Sequence, residues 1–245
     1  MALCLVVLVV WQLVAVALAT PELPTVPHFM AAAISTVQTG VFWASVADTA
    51  GGWAAGLAIA STLGIVLGTI IGLSVVLERA ARIPIAVLYA VPSITLVPLL
   101  LLLLGSTMTM KILLVAIAGF WPVVLHAESG VREVDAIARE TARSYRLARR
   151  DIVLMLYLPS AVPIIATGVR IAATIALQIS VACELVAGVP GLGHQILILS
   201  VNSPDPAIAL VYFVAAAALG FGISLAFRRI ERAAMFWHPS RRAKR

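Results

Sequence analysis

Uncharged apolar runs follow one another along most of this 245-residue chain, and one polar interruption between them is the longest. That stretch opens at Glu140, reads ETARSYRLARRDIVLMLYLPSAVP and ends at Pro163. It passes from a basic, helix-prone segment into an apolar helix that opens at Leu158-Pro159. With 62% hydrophobic and 11% charged residues, and a mean hydropathy of +1.08, a soluble domain would leave far too much apolar surface in water. Runs of this length read instead as several transmembrane helices. A polar segment this long between spans has to fold outside the lipid. Arg143, Arg146, Arg149 and Arg150 assign it to the cytoplasmic side.

The pattern predicts an all-α membrane protein, one transmembrane domain over 1–245 with about six spans. These are expected near 2–19, 53–77, 83–104, 112–127, 152–186 and 207–227, with a cytoplasmic loop at about 133–158. The run at 2–19 has a rival reading as a signal peptide, since Ala17-Leu18-Ala19 resembles a cleavage site. No Lys or Arg precedes it and a membrane protein follows, which favours a first span. Residues 20–50 carry Pro21, Pro24, Pro27, Glu22 and Asp48 and read as an external loop with a short interfacial helix. Gly56, Ala60, Gly64, Gly68 and Gly72 recur every fourth residue, a face on which helix backbones approach closely in lipid. Pro84, Pro92 and Pro98 break the third span and free backbone carbonyls that only protein or water can satisfy. Residues 133–150 fit two short surface helices. In the fifth span, Thr167, Ile171, Thr174 and Gln178 form a mildly polar stripe.

The net charge of +6 is not a nucleic-acid signal, because the positive residues flank spans. Of the 17 Lys and Arg residues, all but Lys111 and Arg170 fall in segments that six spans put on one side. Both termini are therefore expected in the cytoplasm, with Lys111 near an external end. Cys4 and Cys183 lie in apolar runs and suggest no disulfide framework. His28, His126, His194 and His238 are scattered, so neither a metal site nor a catalytic residue is expected. Gly188 to Gly193 lacks the lysine and hydroxyl residue of a phosphate loop. Two charges fall inside helices, where each is costly unless paired or functional. Arg170 reads as a structural ion pair or a snorkelling side chain. Glu184, one turn after Ser180, is open between substrate contact, gating and simply reaching the external interface.

The segment that opens at Glu140 resembles the cytoplasmic loop of ATP-binding-cassette (ABC) importer permeases. That loop reads Glu-Ala-Ala, three residues, Gly, about nine residues, then Leu-Pro. Glu140, Thr141 and Ala142 take the first three positions and Leu158-Pro159 the last, while Thr141 replaces an alanine and Arg146 stands where the family has glycine. Leu23-Pro24 with Pro27, the run Val91 to Pro98 ending at Gly105, and Glu184 followed by Gly191-Leu192-Gly193 extend the likeness from residue 23 to about 232. It is closest to permeases of sulfonate, nitrate and taurine uptake. Such relatives carry a basic segment before the first helix, which leaves the start of this chain open.

The resemblance implies a type I ABC importer permease fold with cytoplasmic coupling helices, working in the bacterial plasma (inner) membrane. It implies two ABC ATPase subunits, a second and usually identical permease chain, and an extracytoplasmic substrate-binding protein. ATP would be bound by the ATPase, and this chain would hold no cofactor. Glu140, Thr141, Ala142, Arg146, Leu147 and Pro159 would form the ATPase-coupling loop. Thr174, Gln178, Ser180 and Glu184 are candidates for the translocation path of a small organic anion such as a sulfonate. The rival classes are an ATP-independent secondary transporter or channel, and a pure scaffold.

Overall fold

The computed structural model describes residues 2–18, 20 and 23–234. Among these, every regular element is helical. The helices are α1 (Ala2–Leu18), α2 (Val26–Val37), α3 (Gly40–Gly72), α4 (Val75–Ala90), α5 (Val97–Leu104), α6 (Met108–Arg132), α7 (Ala136–Ser144), α8 (Arg149–Ile152), α9 (Leu158–Ala187), α10 (Leu192–Asn202) and α11 (Pro206–Ala234). Four helical stretches are long and apolar enough to cross a membrane, and the bent pair α4–α5 makes a fifth. The apolar helix α1 is shorter. Met1, Ala19, Pro21, Glu22 and the tail from Met235, His238 included, lie outside the described residues.

The centre is a three-helix layer of α3, α6 and α9, and small residues set its spacing. A Cβ on Gly64 would lie 2.8 Å from Val123 Cβ, and one on Gly72 2.7 Å from the Glu128 carbonyl. Gly56 meets Val115, Gly68 meets the Val124 carbonyl and Ala127, and Ala60 meets Gly119. The fourth-residue face of α3 is therefore the seam with α6, running parallel to it. On the other side of α6, Gly168 of α9 lies against His126 and Gly130 lies against Ala161, so α9 runs antiparallel. Without a water-driven force between helices in lipid, this close backbone packing supplies the attraction.

Three boundaries differ from the sequence reading. α3 begins at Gly40, so most of the expected external loop is helix, with Phe42, Ser45 and Thr49 buried. The Ser45 hydroxyl returns to the Val41 carbonyl at 2.8 Å, which lets polar residues sit inside the helix. Pro84 does not interrupt α4. The break falls at Val91–Pro92, where α4 and the stretch Ser93–Leu104, a helical turn running into α5, meet at 74°. Pro98 then sits in the first turn of α5, where its missing N–H costs nothing. Finally, the fifth helix is entered through α8 and one wide helical turn, Val153–Tyr157, directly ahead of Leu158-Pro159. Pro159 and Pro163 both lack an N–H, and Thr167 donates its hydroxyl to the Pro163 carbonyl at 3.1 Å.

Candidate functional site

Two polar assemblies stand at opposite ends of the central layer. The first is the loop between α6 and α9. Asp135 starts α7 by accepting the Ile137 N–H at 3.1 Å, and Ala142 is the residue that α7 buries. The helix ends in a reversal around Arg146, whose φ is +50°, the only positive φ outside glycine among the described residues. The Leu147 N–H reaches back to the Ala142 carbonyl at 3.3 Å, the six-to-one bond of a Schellman turn. That turn places its residue after the C-cap in the left-handed region, where a side chain crowds its own backbone. Arg146 thus adopts the conformation that the glycine of similar loops would take without strain.

Around this turn, Glu140, Thr141 and Leu147 are exposed, and the Ser144 hydroxyl donates to the Glu140 carbonyl at 3.0 Å. Ile137 on α7 and Tyr145 just after it are 72% and 76% exposed, apolar bodies outside the central layer. Pro159 lies in the first turn of α9. The loop residues named from sequence therefore converge on one compact turn, with Pro159 set behind it at the head of α9.

The second assembly lies at the other end, and sequence reasoning divided it. Lys111, assigned to an external end, is fully buried in the first turn of α6. Its Nζ donates to Glu184 Oε1 (3.0 Å), the Asp48 carbonyl (2.9 Å) and the Pro190 carbonyl (2.8 Å), which uses all three ammonium protons. Glu184 is as deeply buried. Its Oε1 also accepts the Ser180 hydroxyl at 3.3 Å, and its Oε2 accepts the Thr49 hydroxyl at 3.0 Å and the Gly193 N–H at 2.9 Å. Thr49 in turn accepts the Leu192 N–H at 2.9 Å. The glycine cluster has its use here: at Gly191, with φ +153°, a Cβ would strike the Glu184 carboxylate. One saturated ion pair thus ties α3, α6, α9 and the start of α10 together, and the positive end of α10 faces a carboxylate. A fully paired buried network of this kind rigidifies a site.

The four candidates for a path are not together. Ser180 and Glu184 belong to this buried pair. Thr174 and Gln178 are exposed and line a groove between α9 and α11, closed on the far side by Ala216, Gly220 and Ser224, with a cavity volume of about 460 Å³. Arg170 closes α9 onto α11 through Glu231 at 3.2 Å, a structural ion pair. Among the described residues, no group of three or more His, Cys, Asp and Glu side chains could hold a metal ion.

Parallel and antiparallel apolar helices around a tight glycine seam, with a short helix hairpin interrupting them, define a multi-pass membrane protein. The chain belongs to the family described as binding-protein-dependent transport system inner membrane component, whose signature matches residues 60–234. It is 32% identical over 162 residues to the nitrate import permease protein NrtB of Leptolyngbya laminosa, covering 66% of this chain and 58% of that protein. It is 33% identical over 180 residues to the taurine transport system permease protein TauC of Escherichia coli (strain K12), covering 71% of this chain and 63% of that one. The matches thus span about three fifths of the length of these relatives. The fold is similar to that of a chain in a structure described as inward-facing conformations of the MetNI methionine ABC transporter, with a TM-score of 0.70 at 17% identity, covering 79% of this chain and 95% of that chain.

Proposed function

We propose that this chain forms the translocation path of an ATP-driven importer for a small anion and works by alternating access. A pair of ATPase subunits would dock on the loop between α6 and α9, and a second permease chain would complete the path. An external binding protein would deliver the substrate. The loop and both termini would lie in the cytoplasm, and the buried Lys111–Glu184 pair would lie at the external end. The observation that carries this reading is the loop itself. A short amphipathic helix, a tight left-handed turn at Arg146 and the Leu158-Pro159 helix start succeed one another in a segment whose residues are mostly exposed.

Such a segment does no chemistry; its task is to be held and moved. ATP closing the ATPase dimer would bring two docked loops together, and the rigid layer of α3, α6 and α9 would carry that displacement across the membrane. The α9–α11 groove suits a small anion passing through. Gln178 and Ser224 offer neutral hydrogen-bond donors without a fixed positive charge, while the Thr174 hydroxyl donates to the Arg170 carbonyl at 3.2 Å, so binding stays weak enough for release. Nitrate and taurine, from the names of the two relatives, are the first substrates to test.

A buried ion pair within the spans is what a proton-driven secondary transporter would use. Lys111 and Glu184 have every hydrogen-bonding position filled and neither touches solvent, which favours a structural lock over a proton relay. Reconstitution in proteoliposomes separates the two classes. Uptake of labelled nitrate or taurine that needs the ATPase subunits and internal ATP supports the importer; uptake driven by a proton gradient with permease alone overturns it.

A further inference from the structure

We propose that Arg132 is a strut that transmits movement of the coupling loop to α4, and that α4 is the swinging part of the bundle. The proposal rests on the reading of residues 133–158 as the docking loop. Arg132 is the last residue of α6, immediately before that loop. Its Nη1 lies 3.0 Å from Glu78 Oε2 in the first turn of α4, and its Nε lies 3.6 Å from Glu128 Oε1 on its own helix. One guanidinium is shared by two carboxylates, so it can keep a partner while α4 shifts. Within the single chain α4 buries no residue, and α3 is its main neighbour. Between α4 and α6 lies a cavity of about 280 Å³, walled by Ile85, Tyr89, Val124 and Leu125 with Glu78 and Glu128 on its rim. That space lets α4 approach α6.

The far end of α4 is the Val91–Pro92 break, and beyond it the chain is anchored. Val97 and Leu100 of α5 are buried with Met110, Leu114 and Cys183, next to the Lys111–Glu184 lock. Hence α5 stays with the rigid layer while α4 turns about the break, the arrangement of a hinge with few absorbing residues. The side chains of Arg132 and Glu78 are 40% and 21% exposed, so their bridge contributes little to stability. Its value is positional.

The test uses the full chain in lipid nanodiscs, with Cys4 and Cys183 replaced by alanine and labelled protein diluted with unlabelled. Spin labels at Ile83 and Leu102, both exposed, read α4 against α5; labels at Leu63 and Leu113 read α3 against α6. With permease alone, Arg132→Gln and Glu78→Gln should each shift or broaden the first distance and leave the second unchanged. The swapped pair Glu78→Arg with Arg132→Glu should restore it. With the ATPase subunit and adenylyl imidodiphosphate added, the wild-type α4 distance should move. In Arg132→Gln it should not, although the ATPase still co-purifies. An unaltered α4 distance in Arg132→Gln permease alone overturns the strut, as does a nucleotide shift equal to wild type. If the ATPase fails to bind even wild type, the docking reading itself falls, a result separate from either.

Discussion

Lys111 Nζ lies 3.0 Å from Glu184 Oε1 with both side chains sealed from solvent, and Gly52, Gly191 and Gly193 are the positions that leave them room. Removing one partner strands a buried charge, which costs about 3–5 kcal/mol and lowers Tm by something on the order of 10 °C in a domain of this size. Lys111→Met and Glu184→Gln should therefore each destabilise the detergent-purified chain. The double variant should lose much less than the sum, because neither charge is then left alone. Thermal unfolding of the three variants checks this, and full additivity would mean that the two side chains do not act as a pair.

Two glycines of α3 should behave in opposite ways. A side chain at Gly68 meets the Val124 carbonyl, Ala127 and the Glu128 N–H, whereas Gly51 has nothing within 4 Å. Gly68→Leu should force α3 from α6 and cut the yield of folded protein severely. Gly51→Leu should leave yield and Tm near wild type. Size-exclusion profiles and melting curves of both variants make the comparison, and equal tolerance would place lipid rather than α6 against Gly68.

The glycine face was legible because small residues at every fourth position share one side of a helix whatever surrounds them. Two short helices between α6 and α9 were legible because residues 133–150 carry no Pro or Gly and are polar enough to lie outside the apolar spans. The Lys111–Glu184 lock was not, because its partners are 73 residues apart and a lysine at the edge of an apolar run looks like a flanking charge. For the same reason the start of α3 was missed. Ser45, Asp48 and Thr49 lower the apolar count of a segment that is nevertheless helical, since Thr49 and the Asp48 carbonyl are satisfied by the lock. Hydropathy counts a polar residue as wet; only the fold shows that its partners are inside.

A third prediction concerns acid. His28 Nε2 and Asp205 Oδ1 are 3.0 Å apart and join α2 to the start of α11, where Asp205 also accepts the Ala207 N–H at 2.9 Å. Desolvation pushes the Asp205 carboxyl up, but the His28 hydrogen bond, the Ala207 N–H and the His28 charge together hold it below the usual carboxylate range. A depressed folded value means that the stabilisation is present above the unfolded value of about 3.9 and is lost as pH falls through the lower folded one. Acidification into that window should raise hydrogen exchange in α2 and the first turn of α11. Asp205→Asn should abolish this pH dependence, and exchange in α2 that matches between wild type and Asp205→Asn at neutral pH and throughout acidification below the ordinary carboxylate range would show that the bridge does not hold α2.

The last prediction sets Arg146 against Glu140. Arg146 has φ +50°, which costs an L side chain about 1 kcal/mol or more relative to glycine. Arg146→Gly should therefore keep the turn, still closed by the Leu147 N–H on the Ala142 carbonyl, and protect that amide at least as well as wild type. A β-branched residue tolerates the left-handed region worst, so Arg146→Val should loosen α7. Glu140 differs because it is exposed and shapes no turn with its carboxylate. Glu140→Lys should leave fold and membrane insertion intact. If the loop seats in an ATPase groove, however, a reversed charge at a partly buried contact costs enough free energy to weaken docking about tenfold or more. Co-purification of the ATPase subunit and ATP-dependent uptake, measured on the same preparations, should fall for Glu140→Lys and hold for Arg146→Gly. Equal coupling in Glu140→Lys and wild type would remove Glu140 from the docking surface. A loss in Arg146→Gly with the Leu147 amide still protected would instead show that the guanidinium itself contacts the partner, and that the strained backbone is kept for that contact.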